Sequence, residues 1–510
     1  MSLKEPFEKV KNAPPEVFRD RILLFSIILA TWLSIKILEK LLPDRVLNIF
    51  PGPLPLGLLF LVIGAVLFYT VVVYVAQQWK NFSARLSAHV SEQFPKQFSD
   101  RVLPLLGQTD KKSNVRLGES SMGQDHQDQA DDNNSYYPAI DVFVPCHNEK
   151  NVILDTIQNL LQIDYASYHI YIIDDRSIDG SADRVDDFIK SNNLSKKVSL
   201  IRRVDGQPPG KSASLNQALS MTSSELVAVF DADAKVQSHC FKEAIKYFEN
   251  SKVGGVQFQK RINNASFNTL AKCQDLEFAF DTFLQVGRDS LNGLVEFRGN
   301  GQVNSRKCLL EVGGWDERTL TDDLELSTRL YVYGWRIRFI PEVEVYEEGV
   351  ITPTALFKQR RRWAEGSIRR YLTHFQCFVT PKGKIKFLQR FDIVPFMCQF
   401  AIPIWIFLDL VLESISFFRG EATHITTLML ATLSLSLVFI VNISISIRRW
   451  RGYSAFNSFK YGLLTFFYGS AHWPIIVLWT VRKVLFGRRP TQWNKTPRMV
   501  DLIEAKNADF

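Results

Sequence analysis

Long uncharged runs of apolar residues lie near both ends of this 510-residue chain, and they constrain its fold more than any other feature. Leu56 to Ala76 is 21 residues without a charge. A helix rising about 1.5 Å per residue would there span a hydrocarbon core of roughly 30 Å. Ile22 to Leu38 is a second run, interrupted only by Lys36, whose side chain can reach the interface. We therefore predict two transmembrane helices within residues 21–80, after a cytoplasmic N-terminus of residues 1–20.

Three more apolar runs follow the middle of the chain: Ile393 to Leu408, Ile425 to Ile447 and Tyr461 to Val481. Because Lys and Arg concentrate on the cytoplasmic side of membrane proteins, the basic N-terminal segment places the middle domain in the cytoplasm. A single crossing by the last run would export the basic tail, residues 487–510, against the same rule. We therefore expect transmembrane and re-entrant helices over residues 391–486, with the last one broken near Gly469 to Pro474.

Composition and charge narrow the class of protein. The chain is 46% hydrophobic and 22% charged, which excludes disorder over its whole length. Residues 81–136 are rich in Asp, Gln, Asn and Ser toward their end, which indicates an amphipathic segment followed by a polar linker. The net charge of +8 suits a membrane surface, a phosphate-rich ligand or nucleic acid. Six scattered cysteines argue against a zinc module or a disulfide framework.

The middle of the chain, residues 137–365, alternates short β-branched runs with helical stretches. The predicted strands are IDVFVP from Ile140, YHIYIIDD from Tyr168, KVSLIRR from Lys197 and ELVAVFDADA from Glu225. Strand and helix alternating at this spacing predict βαβ units and a mainly parallel, Rossmann-like sheet with ligands at the strand carboxyl ends. No GxGxxG opens the first helix and no P-loop occurs, so neither a dinucleotide fold nor a P-loop enzyme is indicated.

Acidic residues end two of these predicted strands. Asp174 and Asp175 close the second strand, and Asp231 and Asp233 end the last as D-A-D. Two carboxylates of this kind suit Mg²⁺, which takes a few acids together with phosphate oxygens of a substrate. The structural alternative is that acids at strand ends form turns or cap helices.

A third acidic site and a basic site lie further along. Thr321, Asp322 and Asp323 precede a helical run, where acids compensate the helix dipole or where Asp323 could act as a general base. The segment 359–363, QRRRW, offers guanidinium groups to a diphosphate and an indole face to a sugar ring. Its alternative role is a basic amphipathic stretch on anionic headgroups.

Together these segments resemble the membrane-embedded family 2 glycosyltransferases. The segments that carry the resemblance, in family order, are VPCHNE from Val144, DDRSIDGS from Asp174, GKSASLNQAL from Gly210, DADA from Asp231, EVGGWDE from Glu311, TDD from Thr321 and QRRRW from Gln359. The resemblance covers about Ile140 to Trp363. Two motifs depart from the common pattern, since TDD replaces TED and DDRS replaces DDGS.

The resemblance implies an α/β GT-A domain, the nucleotide-diphospho-sugar transferase fold, inserted between transmembrane helices. It also implies a UDP-sugar donor and a divalent cation, Mg²⁺ or alternatively Mn²⁺. The implied nucleotide-sugar residues are Pro145, Glu149, Asp174, Asp175, Lys211 and Asp231. The implied metal ligands are Asp231 and Asp233, the base is Asp323, and the acceptor and diphosphate residues are Gln359, Arg360, Arg362 and Trp363.

The layout of the chain is similar to that of the cyanobacterial β-monoglucosyldiacylglycerol synthases. That similarity implies inverting transfer of glucose from UDP-glucose to 1,2-diacylglycerol in the bilayer, by a multi-pass membrane protein with a cytoplasmic catalytic domain. Residues 366–390 would then be an interfacial amphipathic segment. A processive β-polysaccharide synthase, similar to those for cellulose, hyaluronan or poly-N-acetylglucosamine, is the main alternative, and a non-catalytic membrane protein is a third. Nucleic acid is not expected as a partner, because the basic residues adjoin apolar segments and lack interleaved stacking aromatics.

Overall fold

The computed structural model describes residues 137–380, 383–420, 425–487 and Arg498. The predicted transmembrane pair of residues 21–80, the N-terminus before it and the linker after it lie outside the described residues. So does the basic tail of residues 487–510, apart from its first residue and Arg498.

A mixed eight-stranded sheet is the centre of the structure, in the order β3-β2-β1-β4-β7-β6-β8-β5. Its strands are β1 Ile140–Cys146, β2 Tyr168–Asp174, β3 Val198–Arg202, β4 Leu226–Val229, β5 Lys235–Val236, β6 Val253–Ile262, β7 Gln302–Ser305 and β8 Arg336–Glu347. The first four pair in parallel as predicted. The other half differs from the prediction, because β7 runs antiparallel to both β4 and β6, and β5 runs antiparallel to β8. The longest pairing in this half, β6 with β8, is parallel, so the sheet is mixed, with its antiparallel pairings at β7 and β5.

Helices cover both faces of this sheet and extend from it at the C-terminal end. They are α1 Ile153–Leu160, α2 Ser181–Ser191, α3 Lys211–Met221, α4 Cys240–Phe248, α5 Thr269–Ser290, α6 Arg306–Val312, α7 Asp322–Tyr333, α8 Pro353–Thr373, α9 Phe375–Val379, α10 Phe387–Phe418, α11 Ile425–Arg451 and α12 Ala455–Phe486. Local sequence explains several starts. The Asn268 side chain accepts from the backbone N–H of Ala271 and caps α5, and Thr352 caps α8 just before Pro353.

The sheet is buried on both faces, as β1 shows. Its Val142 and Val144 pack into one core with α1, α2 and α4, whereas Phe143 points into a second core on the opposite face. That second core also contains residues from α8, α10 and α12, so the C-terminal helices pack directly on the sheet domain. Each fully buried side chain of this size contributes roughly 1.5–3 kcal/mol.

The described residues of the range 366–390, predicted as an interfacial amphipathic segment, are divided among three helices. They complete α8, form α9 and begin α10. Ile368, Tyr371 and Leu372 are buried in the second core. Val379 and Phe387 of the same range are exposed, so contact of this range with a membrane surface stays a prediction.

The prediction that the last apolar run is broken near Gly469 to Pro474 is wrong. The helix α12 is continuous for 32 residues with Pro474 inside it. Tyr461 and Phe466 before the proline and Ile476 and Val477 after it pack against protein, which offsets the one backbone hydrogen bond that proline removes. Among the described residues, α12 is the one helix that length and apolar composition together qualify as a possible membrane span.

Candidate active site

One cavity of about 1620 Å³ opens at the carboxyl ends of β1, β2 and β4. It is lined by eleven of the twelve predicted site residues: Pro145, Glu149, Asp175, Lys211, Asp231, Asp233, Asp323, Gln359, Arg360, Arg362 and Trp363. The exception is Asp174, which is buried behind the cavity wall and accepts from the backbone N–H of Ser177 at 3.2 Å. The structure thus brings together residues that are up to 218 positions apart in the sequence.

Asp175 fixes the loop that leads into α3. Its carboxylate receives hydrogen bonds from Arg203 at 2.8 Å and from the backbone N–H of Gly210 at 2.7 Å, and it pairs with Arg176 at 2.7 Å. Gly210 has a φ of +108°, a conformation that side chains rarely adopt. Asp175 therefore orients the start of α3, where Lys211 stands, and Arg203 is a partner that sequence reasoning missed.

Lys211 and Asp231 form a close ion pair, with Nζ 2.5 Å from Oδ1. Burial opposes both charges, but Asp231, Asp322 and Asp323 together raise the pKa of Lys211. Lys211 in turn lowers the pKa of Asp231, against the effect of burial. The first acid of D-A-D is thus ionised and already faces a cation.

Asp233, the second acid of D-A-D, pairs with the far end of the chain. Arg498 lies 2.6 Å from Oδ2 of Asp233 and donates two hydrogen bonds to Glu149, at 2.9 Å and 2.8 Å. The backbone N–H of Glu348 also donates to Asp233, at 2.8 Å. No motif in the sequence marks Arg498, which was counted only as part of the basic tail.

Asp323 lies in the first turn of α7, against Gly299. A Cβ atom added at Gly299 would stand 3.4 Å from Oδ2 of Asp323 and 4.0 Å from Nζ of Lys211. Asp323 and Asp231 are therefore both neighbours of the same lysine. Burial, and next the charge of Asp322, raise the pKa of Asp323 to about 6. A carboxyl with that pKa is a base near neutral pH.

The QRRRW segment lies on α8, and its arginines face different partners. Burial lowers the pKa of Arg362, and the charges of Asp231, Asp322 and Asp323 oppose that effect, which places Arg362 at the acidic end of the cavity. Arg360 is instead held by Glu277 of α5 at 2.6 Å, with its guanidinium 4.3 Å from the ring centre of Trp363.

Two further residues of this region escaped the sequence reasoning. Lys260 of β6 pairs with Glu347 at 2.6 Å and stands 5.8 Å from the ring centre of Trp363. Glu277 fixes Arg360 on the other side of that segment. Trp363 is thus flanked by two held cations, which settles the position of its indole ring inside the cavity.

The donor set for a metal consists of the two acids of D-A-D. Within the described ranges, no group of three or more His, Cys, Asp or Glu side chains is close enough to hold an ion by itself. Asp231 and Asp233 supply hard carboxylate oxygens on one wall, which suits a divalent cation that completes its shell with phosphate oxygens and water. The residues therefore fit such a metal as part of a complex with a diphosphate.

The other end of the cavity is apolar and lies between the C-terminal helices. Its walls include Phe400 of α10, Phe439 of α11 and Trp473 of α12. The rings of Phe400 and Trp473 are 5.5 Å apart between centres. A single cavity thus runs from the acidic end, at Asp231 and Asp323, to an apolar end among these three helices.

The comparisons with known proteins agree with this geometry. Residues 138–366 match the family described as "Glycosyltransferase like family 2". A β-monoglucosyldiacylglycerol synthase from Nostoc sp. is 34% identical over 367 residues, which cover 70% of this chain and 76% of the relative. The parallel half-sheet with a mixed second half is a GT-A-like fold, and its cavity defines a glycosyltransferase. The chain belongs to glycosyltransferase family 2.

Other relatives match smaller parts of the chain. A β-monoglucosyldiacylglycerol synthase from Synechocystis sp. is 36% identical over 270 residues, and the match spans about half of each protein, 52% of this chain and 55% of the relative. A poly-β-1,6-N-acetyl-D-glucosamine synthase from Staphylococcus epidermidis is 29% identical, over 53% of this chain and 63% of the relative. A mannosyltransferase from Pyrobaculum calidifontis, solved with GDP-Man and Mn²⁺, gives a TM-score of 0.48 at 20% identity over 65% of this chain and 86% of that protein. That likeness is too weak for conclusions about this chain.

Proposed function

We propose that this protein is an inverting membrane glycosyltransferase that moves glucose from UDP-glucose onto the free hydroxyl of 1,2-diacylglycerol, forming a β-linkage. The observation that carries the proposal is the cavity itself, which joins an acidic end suited to a nucleotide sugar to an apolar end suited to acyl chains. The names of the relatives from Nostoc and Synechocystis support the lipid acceptor and the glucosyl group.

Asp323 acts as the base in this proposal. Its carboxylate takes the proton of the acceptor hydroxyl while that oxygen attacks the anomeric carbon and the bond to the diphosphate breaks. Direct displacement inverts the configuration, so an α-linked donor gives a β-linked lipid. Lys211 and Arg362, at the same end of the cavity, offset the negative charge that develops on the departing diphosphate.

Asp231 and Asp233 would hold Mg²⁺ or Mn²⁺ with the donor. When bound, the cation supplies positive charge to the diphosphate oxygens. Because Arg498 pairs with Oδ2 of Asp233 in this structure, a cation that bound this oxygen would have to compete with Arg498. Glu149, the other partner of Arg498, can keep Arg498 in the site while the cation is bound.

The proposal includes a multi-pass membrane location with the catalytic domain in the cytoplasm. The outer half of α10 exposes Phe407, Val411 and Ile415, and the first half of α11 exposes Leu433 and Leu437. Both helices adjoin the catalytic domain at their other ends: Asp392 of α10 pairs with Arg288 and Arg451 of α11 pairs with Asp275. These helices support a hairpin that leaves the domain, enters the bilayer and returns.

The function is tested with purified protein, Mg²⁺, radiolabelled UDP-glucose and dispersed diacylglycerol. Label that partitions into the organic phase as a lipid carrying one hexose is the expected result. Ethanol-insoluble label would indicate a polysaccharide synthase instead. Labelling only from a different UDP-sugar would refute the assignment of glucose. The Asp323→Asn protein is the inactive control for the lipid and the polysaccharide assays.

A further inference from the structure

The helix α12 has the composition of a membrane span, but its contacts follow the catalytic domain along almost its whole length. Near its start, the hydroxyl of Tyr461 lies 2.7 Å from Nζ of Lys272 on α5. Near its end, Lys483 pairs with Glu365 on α8 at 2.7 Å. Tyr461 and Lys483 are 22 positions apart, which corresponds to about 33 Å of helix. That distance exceeds a hydrocarbon core of roughly 30 Å.

Contacts between those two ends show that α12 does not leave the domain and return. Tyr468 lies 3.5 Å from Glu277, and Trp479 stacks under the guanidinium of Arg361 at 3.0 Å. Ile476 and Val477 are fully buried in the second core. A helix that crossed a bilayer could touch a cytoplasmic domain at one end only, so these contacts exclude a crossing perpendicular to the membrane.

Among the residues that the structure describes, the opposite side of α12 is apolar and exposed. Phe459, Phe467, Ile475 and Phe486 are more than half exposed, between 52% and 79%. The helix contains no acidic residue, and the exposed Lys460 and Arg482 lie on this same side near the two ends of the helix, where long side chains can reach the headgroups. Apolar rings with basic residues beside them suit a helix lying in the interface of a bilayer that contains anionic lipids.

The position of Arg498 is an independent sign of the same arrangement. Arg451, at the end of α11, pairs with Asp275 of the catalytic domain, so α12 starts on the catalytic side of the membrane. Arg498 pairs with Glu149 and Asp233 in the same domain, only eleven residues after Gly487. A single segment can span lipid only as a helix, and eleven helical residues reach about 17 Å, roughly half of a hydrocarbon core, so a crossing by α12 could not be followed by a second crossing back.

We propose that α12 lies flat in the cytoplasmic leaflet, with the exposed apolar side in the acyl chains and the other side forming one wall of the active-site cavity. The partner of this surface is the bilayer itself. The cavity would then open sideways into the same leaflet, between α12 and the α10–α11 hairpin. This inference rests on the proposed membrane location but not on the identity of the sugar or the acceptor.

The test measures the depth of nitroxide labels along α12 in protein reconstituted in vesicles with anionic lipid. Single cysteines replace the exposed residues: F459C, F467C, I475C and F486C. Labels on a flat helix differ in depth by no more than the helix diameter, about 10 Å, whereas labels on a crossing helix spread over about 40 Å. Cys377, which is partly exposed, and Cys398 are first changed to serine. The four native cysteines that remain are buried and inaccessible to the label.

The α11 helix supplies the matched control, with labels at its own exposed residues Leu433, Leu437, Val441 and Ile445. A graded depth along α11 and a constant depth along α12 is the result we expect. A graded depth along both helices, or labels on α12 that never contact lipid, would overturn the inference. If α11 also shows no lipid contact, the proposed membrane location fails as well, so the two failures are distinguishable.

Discussion

The raised pKa of Asp323 predicts how the transfer rate depends on pH. Burial and the neighbouring Asp322 raise that pKa to about 6, and the base works only when ionised. With this value, about one eleventh of Asp323 is ionised at pH 5 and about ten elevenths at pH 7. The quotient kcat/KM should therefore rise about tenfold from pH 5 to pH 7 and then level off.

The substitution Asp322→Asn tests the cause of that shift. Removing the adjacent negative charge lets the pKa of Asp323 fall, so the acidic limb should move to lower pH. We expect a movement of about one pH unit, equivalent to 1.36 kcal/mol. The measurement is kcat/KM against pH for both proteins, with UDP affinity determined across the same range.

Glu311→Gln is the matched control, since Glu311 is an exposed acid on α6 outside the cavity. This substitution removes one carboxylate and should leave the acidic limb of the pH profile of kcat/KM at the same pH. A limb that does not move in Asp322→Asn, or that moves to higher pH, would refute the assignment of Asp323 as a base tuned by its neighbour.

Two further predictions concern the acidic end of the cavity. Replacing Arg498 by alanine should tighten Mn²⁺ binding without donor, measured by electron paramagnetic resonance, because Asp233 loses its competing cation; weaker binding would contradict that competition. Gly299→Ala should lower kcat about tenfold, because its new methyl group would stand 3.4 Å from Oδ2 of Asp323, in van der Waals contact, and fill the space beside the base. Gly206→Ala has a similar φ, +87° against +84°, with open space around it, so an equal loss there would show that backbone strain alone is responsible.

The parallel half of the sheet was predictable because its four strands are joined in sequence order by single helices, as simple βαβ units. β1 to β4 are short, β-branched and separated by amphipathic helices, and all four form as expected. The remaining half was not predictable, because β7 has four residues and pairs with β4 and β6 through contacts distant in sequence. No local periodicity records which neighbours such a strand takes.

The site shows the same division between local and long-range information. The acids at the strand ends and the QRRRW segment were visible because their spacing carries chemistry. Arg498 and Glu277 were not visible, since each acquires its role only from a partner far away in the chain, Asp233 and Arg360 respectively. The basic residues of the tail also led to the prediction of a break in α12, and the structure contains no such break. The premise of that prediction was that every long apolar helix must cross the bilayer.

The most direct test of the account is a paired measurement on Asp323→Asn. Asp323 is treated as a base that touches the acceptor and not as a ligand of the nucleotide or the cation. The account predicts that glucosyl transfer falls to background while the affinity for UDP in the presence of Mg²⁺ stays within about twofold of the unsubstituted protein. Retained transfer, or loss of UDP binding, would contradict it.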